Sequence, residues 1–146
     1  MIQESHSETT SKKQLRKEGL NQALQLLHNC STPVGFYAST TDHANYKRVW
    51  GRDGVIMSLA ALMTEDEKLI DTARTTLETL AQHQGPHGEI PSNVDTNTGR
   101  ISYGGMTGRV DSDLWFIIGC IEYWNRTRDN DFLEKMLPTI EKVRFL

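Results

Sequence analysis

The chain has 146 residues, 37% of them hydrophobic and 24% charged, the size and composition of a globular domain with its own buried core. Its formal net charge of -3 provides no basic stripe, so nucleic acid is not expected as a partner. The longest strongly apolar stretch, LWFIIGCI at 114–121, is too short to span a bilayer, and no basic amphipathic face suggests a membrane surface.

Residues 1–11 are polar and rich in Ser and Thr and are expected to form a flexible N-terminal arm. They contain no apolar core of a signal peptide, which points to a cytoplasmic protein with Cys30 and Cys120 as reduced thiols. A first helix is expected over 12–28, with Leu20, Ala23, Leu24 and Leu27 as its apolar stripe. The segment NCSTPVGF ends it, and the chain to Gly51 reads as a long loop.

A second helix should begin at Arg52 or Asp53 and carry Val55, Ile56, Leu59, Ala60, Leu62 and Met63. Its near-uniform apolarity predicts burial on most sides. TEDE at 64–67 reads as a capping box, with Thr64 as N-cap and Glu67 three residues on. The third helix, 67–84, has Leu69, Ile70, Ala73, Leu77 and Leu80 on one face and polar residues on the other, the pattern of a surface helix.

Residues 85–109 are dense in Gly, Pro, Asn and Thr and form a long loop, with a turn expected at 95–99. A loop of this length in a helical domain is a functional signal. A fourth, apolar helix is expected over 112–127, and a fifth, amphipathic one from Asp131, interrupted or kinked at Pro138. Residues 52–84 and 112–146 thus repeat one pattern of apolar helix, short turn and amphipathic helix. An α-solenoid would show the same repetition. The long Gly-rich loops favour instead a two-layer ring of helix pairs with a site at one mouth.

Two constellations can carry chemistry. In WGRD, Trp50 offers a flat apolar face for a sugar ring, while Arg52 and Asp53 supply a donor and an acceptor for hydroxyls. The plainer alternative is that Asp53 caps the following helix and Arg52 pairs with a carboxylate elsewhere. In GRVDSDLWF at 108–116, Asp111 stands between a Gly-rich loop and a buried helix, where apolar surroundings favour a general acid. There too Asp111 or Ser112 could be an N-cap, and both readings hold if Ser112 caps while Asp111 faces the mouth. Glu89, in HGEIPSN, reads as a solvated loop carboxylate. His83 and His87 are separated by Gly85-Pro86, so a shared metal site is not expected. No phosphate loop, nucleophile elbow or dinucleotide fingerprint occurs, and neither metal nor cofactor is expected.

In their order, W-x-R-D entering an apolar helix, the GEIPS loop, and VDSDLWF entering the next apolar helix resemble the six-hairpin (α/α)6 glycosidases. The resemblance covers residues 46–146. It is to the amylo-α-1,6-glucosidase part of glycogen-debranching proteins, to glucoamylase-like enzymes and to neutral/alkaline invertases. It implies an all-α fold of helical hairpins forming part of an (α/α)6 barrel, and an oligosaccharide or polysaccharide substrate. Arg52 and Asp53 would bind hydroxyls of the terminal sugar, with Trp50 beside the ring. Asp111 would be the general acid, and Trp115 would support it or line the site. These enzymes invert, so a second carboxylate must activate water roughly 6.5–9.5 Å from the acid. In the family that base comes late in the barrel, beyond Leu146, and twelve helices with their loops need roughly 200 residues. Residues 12–146 are therefore expected to be the N-terminal portion of a catalytic domain, inactive alone and with apolar faces exposed. An α-glucan or α-glucoside is the first substrate class and sucrose the second. A non-catalytic carbohydrate-binding or helical-repeat module would need only Trp50, Arg52 and Asp53. Oligomeric state is left open.

Overall fold

The computed structural model describes residues 3–41, 43–105 and 110–143. Five helices dominate it: α1 (Gln3–Cys30), α2 (Asp53–Leu62), α3 (Glu67–Gln82), α4 (Val110–Thr127) and α5 (Asn130–Lys142). Five very short strands lie between them: β1 (Ser31–Thr32), β2 (Gly35–Phe36), β3 (Val49–Trp50), β4 (Asn93–Asp95) and β5 (Arg100–Ser102). The fold is all-α. It is built on two helical hairpins, α2/α3 and α4/α5, and α2 packs against both α3 and α4. The core comprises Val55, Leu69, Leu77, Leu80, Phe116, Phe132 and Met136, all nearly sealed from solvent. No helix among the described residues is long and apolar enough to cross a membrane.

The helical periodicity finds the right elements, but several ends differ. Helix α1 starts at Gln3 rather than Lys12, so the segment expected as a loose arm carries helical backbone from Gln3. Only the C-terminal part of its expected stripe is engaged: Leu24 and Leu27 pack on the core, whereas Leu20 is exposed. Helix α3 is capped by Asp66, whose carboxylate accepts the Leu69 amide at 3.1 Å, not by Thr64. The Thr64 hydroxyl donates back to the Ala61 carbonyl and accepts the Asp66 amide, closing the turn that follows α2. Helix α5 is continuous through Pro138, and residues 144–146 of its expected extension lie outside the described residues.

The largest departure concerns α3, a surface helix whose polar side is only partly solvent-facing. Its apparently polar side includes Thr72, Thr76 and Thr79, all buried. Thr72 and Thr76 return their hydroxyls to the carbonyls four residues back, and this leaves a small, methyl-bearing surface. The antiparallel β1–β2 hairpin lies on that surface. Thr76 Oγ1 accepts the Phe36 amide at 2.8 Å, Thr79 Oγ1 donates to the Val34 carbonyl, and Ser31 bonds Thr72. Gly35 is required at the contact: its φ is +113°, and a Cβ there would stand 2.7 Å from the Thr76 Cα.

The two long loops also contain more order than their composition suggests. Strands β3, β4 and β5 form an antiparallel sheet in that order, pairing Val49 with Val94, Trp50 with Asn93, and Val94 with Ile101. The turn expected at 95–99 is the β4–β5 connection, where Asp95 Oδ1 accepts the Asn97 and Thr98 amides. Val49 and Val94 turn inward, and on the other face Arg48 bonds both Asn93 and Asp95. This sheet ties the end of the first loop to the start of the second and so brings both sequence constellations to one end of the helices. The final part of the second loop, 106–109, lies outside the described residues.

Candidate active site

Strand β3 runs directly into α2, which sets Trp50, Gly51, Arg52 and Asp53 at the rim. Gly51 is buried and donates its amide to the Ser92 carbonyl at 2.9 Å. A Cβ on Gly51 would meet the Pro91 carbonyl at 2.5 Å and the Ser112 hydroxyl at 2.8 Å. Only glycine therefore lets the β3–α2 corner, the 85–92 loop and the start of α4 come together here.

The two constellations meet in an ion pair. Arg52 Nη1 donates to Asp111 Oδ2 at 2.9 Å, across 59 residues of sequence. The two side chains are 50% and 36% exposed, so the contact is screened and is worth little to stability. Its significance is geometric, since it puts a fixed cation and a carboxylate together at the open end of α2 and α4.

Of the plainer readings, the pairing of Arg52 with a distant carboxylate appears, and the capping roles do not. Helix α2 has Arg52 at its N-cap position with no side-chain cap bond, and Asp53 lies inside its first turn. Among the described residues the Asp53 carboxylate has no hydrogen-bond partner. Helix α4 begins at Val110, which places Asp111 and Ser112 within its first turn, past the cap position. Ser112 is buried beneath Gly51 instead.

Trp50 is half-buried. Its indole N–H donates to the Asn45 carbonyl at 3.3 Å, and its ring stacks on Tyr46 with centroids 5.4 Å apart and planes 22° from parallel. Ala44 and Asn45 adopt left-handed backbone, at φ 50° and 65°, which turns the chain tightly enough to lay Tyr46 on the indole. One face of Trp50 is thus taken by a protein ring. Trp115 is half-buried against the core cluster, and no hydrogen bond or ring contact joins it to Arg52 or Asp111 among the described residues.

Glu89 differs from its reading as a solvated carboxylate. It is half-buried and folds back on its own loop, where it accepts the His87 amide at 2.8 Å and fills the space beside Gly85. Sequence reasoning also passed over Asp113. Its Oδ1 accepts the buried Ile90 amide at 2.7 Å. Burial, with Glu89 and Asp111 nearby, holds its pKa above the ordinary carboxylate value of 3.8. The spacing of Asp111 and Asp113 on one helix was visible, but the long-range amide that Asp113 accepts was not. Among the described residues no group of three or more His, Cys, Asp or Glu is placed to hold a metal ion. His83 Nδ1 lies 2.8 Å from the Thr79 carbonyl.

No curated protein and no solved structure matches the chain. A family model described as amylo-alpha-1,6-glucosidase matches residues 21–144, a span that takes in both hairpins and the whole of this site. On that match the chain belongs to the amylo-alpha-1,6-glucosidase family.

Proposed function

We propose that this chain supplies the sugar-binding and acid side of an inverting glycoside hydrolase acting on α-glucosidic bonds in a glucan or oligosaccharide. The observation that carries the reading is the 2.9 Å contact between Arg52 and Asp111, which brings the two sequence constellations to one point in a glucosidase family member. Arg52 donates to hydroxyls of the terminal sugar, Asp53 accepts from them, and the free face of Trp50 lies against the ring. Asp111 protonates the glycosidic oxygen as the bond to the leaving group breaks. Trp115 supports the α4 N-terminal turn from the core side.

The exposed ion pair has a part in this scheme. Arg52 occupies the carboxylate that has to reach the glycosidic oxygen, so the two must part when substrate binds. Sugar hydroxyls that draw Arg52 away from Asp111 free the carboxyl to face the glycosidic oxygen, and the exchange is inexpensive because the pair is solvent-screened. Inversion also needs a carboxylate across the sugar from Asp111, roughly 6.5–9.5 Å from it. Glu89 and Asp113 are both bonded to backbone amides of the 85–92 loop, so we assign the base to a residue outside those described, and the chain alone is inactive on this reading. The two free, buried thiols fit a cytoplasmic setting.

In the intact enzyme, Asp111→Asn should lower turnover of an α-glucosidic substrate by at least about a hundredfold with little change in saccharide affinity. Arg52→Ala should weaken binding and turnover together. Wild-type turnover by Asp111→Asn would sink the acid assignment. Saccharide binding without any turnover by the intact protein would favour a carbohydrate-binding module, and a preference for sucrose would favour an invertase-like activity.

A further inference from the structure

The scheme above leaves Asp113 without a part, although it is the most enclosed carboxylate near the site. It is 7% exposed, and its acceptor bond reaches Ile90, itself almost fully buried, on a different segment of the chain. An ionised acceptor on a backbone amide makes a short, strong and directional bond. Were the acceptor removed, the Ile90 N–H would be left without a partner in the interior.

The bond closes a circuit of contacts. From Ile90 the loop runs to Ser92, whose carbonyl accepts the Gly51 amide at 2.9 Å. Gly51 precedes Arg52, Arg52 bonds Asp111 at 2.9 Å, and Asp111 returns along the first turns of α4 to Asp113. Two links of this circuit are buried, at Ser92–Gly51 and at Asp113–Ile90. The third, Arg52–Asp111, is the exposed one that ligand must open. Once Arg52 turns to a sugar, the Asp113–Ile90 bond still fixes the start of α4 to the loop.

We propose that Asp113 is a positioning residue that holds Asp111 at the glycosidic oxygen by pinning the first turns of α4 to the 85–92 loop. This rests on the glycosidase reading of the site.

The test compares Asp113→Ala and Asp113→Asn in the intact enzyme, by kcat and KM on an α-glucosidic substrate and by hydrogen exchange at the Ile90 amide. Asp113→Ala should lower kcat by about tenfold or more with KM nearly unchanged, and should speed Ile90 exchange. Asp113→Asn keeps a carbonyl acceptor and should restore most of kcat and of the Ile90 protection. A folded Asp113→Ala enzyme with wild-type kcat overturns the proposal. Should the Ala variant not fold, Asp113→Asn decides: wild-type-like kcat with Ile90 protected supports positioning, and a large loss of kcat with Ile90 still protected contradicts it. Asp111→Asn run alongside separates the two readings. If it retains turnover, the glycosidase assignment falls and this one with it. If it is inactive while Asp113→Ala is unchanged, only the positioning role falls.

Discussion

Gly51 shows how one residue without a side chain determines where the charged ones stand. Its Cα approaches the Pro91 carbonyl and Ser112 so closely that a single methyl group would collide with both. The Pro91 contact is with backbone, which cannot rotate away. Gly51→Ala should therefore push the β3–α2 corner from the loop, lower thermal stability and reduce turnover in the intact enzyme. Thermal unfolding and kcat/KM check this, and an Ala variant equal to wild type in both would show that the corner is not tightly fitted. At this scale the sequence could single out Trp50, Arg52, Asp53 and Asp111 by residue type, and the fold brings Arg52 and Asp111 into contact. The sequence hid residues whose importance is relational. The need for glycine at 51, the Ile90 amide accepted by Asp113, and the stacking of Tyr46 on Trp50 all depend on segments brought together only by the fold.

Among elements, the apolar period identified every helix, because α-helical spacing repeats over ten or more residues. The strands could not be found that way, since two or three residues carry no period. The buried part of the polar side of α3 escaped it for a different reason: counting threonine as polar ignores that its hydroxyl can be satisfied by its own helix, leaving a methyl group to pack. Capping was legible in kind but not in position, as the shift from Thr64 to Asp66 shows. For α5, Asp129 supplies the cap by accepting the Phe132 amide at 2.9 Å, and it also pairs with Arg74 of α3 at 3.3 Å. Asp129→Ala should cost about 1 kcal/mol of unfolding free energy, with Asp129→Asn retaining most of it. Urea denaturation measures both, and an unchanged midpoint in the Ala variant would contradict the cap.

Taken whole, the molecule presents two apolar stripes side by side. Along α2 and its C-cap they are Ile56, Ala60 and Met63, and on α4 Leu114, Ile118 and Ile121, each with i, i+4, i+7 spacing and each exposed. Uniform apolarity had predicted burial of both helices on most sides, and the packing between α2 and α4 accounts for only part of their surface. Such stripes suit helices that line the inside of a ring, in keeping with the family match and with a site assembled from the helix ends at one mouth. The paired hairpins could be expected from repetition in the sequence, but the meeting of the two chemical segments could not, because a short sheet and one glycine produce it. In the proposed function, Arg52 gives up Asp111 to take sugar hydroxyls, and this exchange can be followed directly. It is tested most directly by following the Arg52 guanidinium and Trp50 indole N–H resonances by nitrogen-15 NMR while an α-linked gluco-oligosaccharide is added. Both should shift together along one saturation curve that Arg52→Ala abolishes. Resonances that stay unmoved at saccharide concentrations saturating the intact enzyme would contradict it.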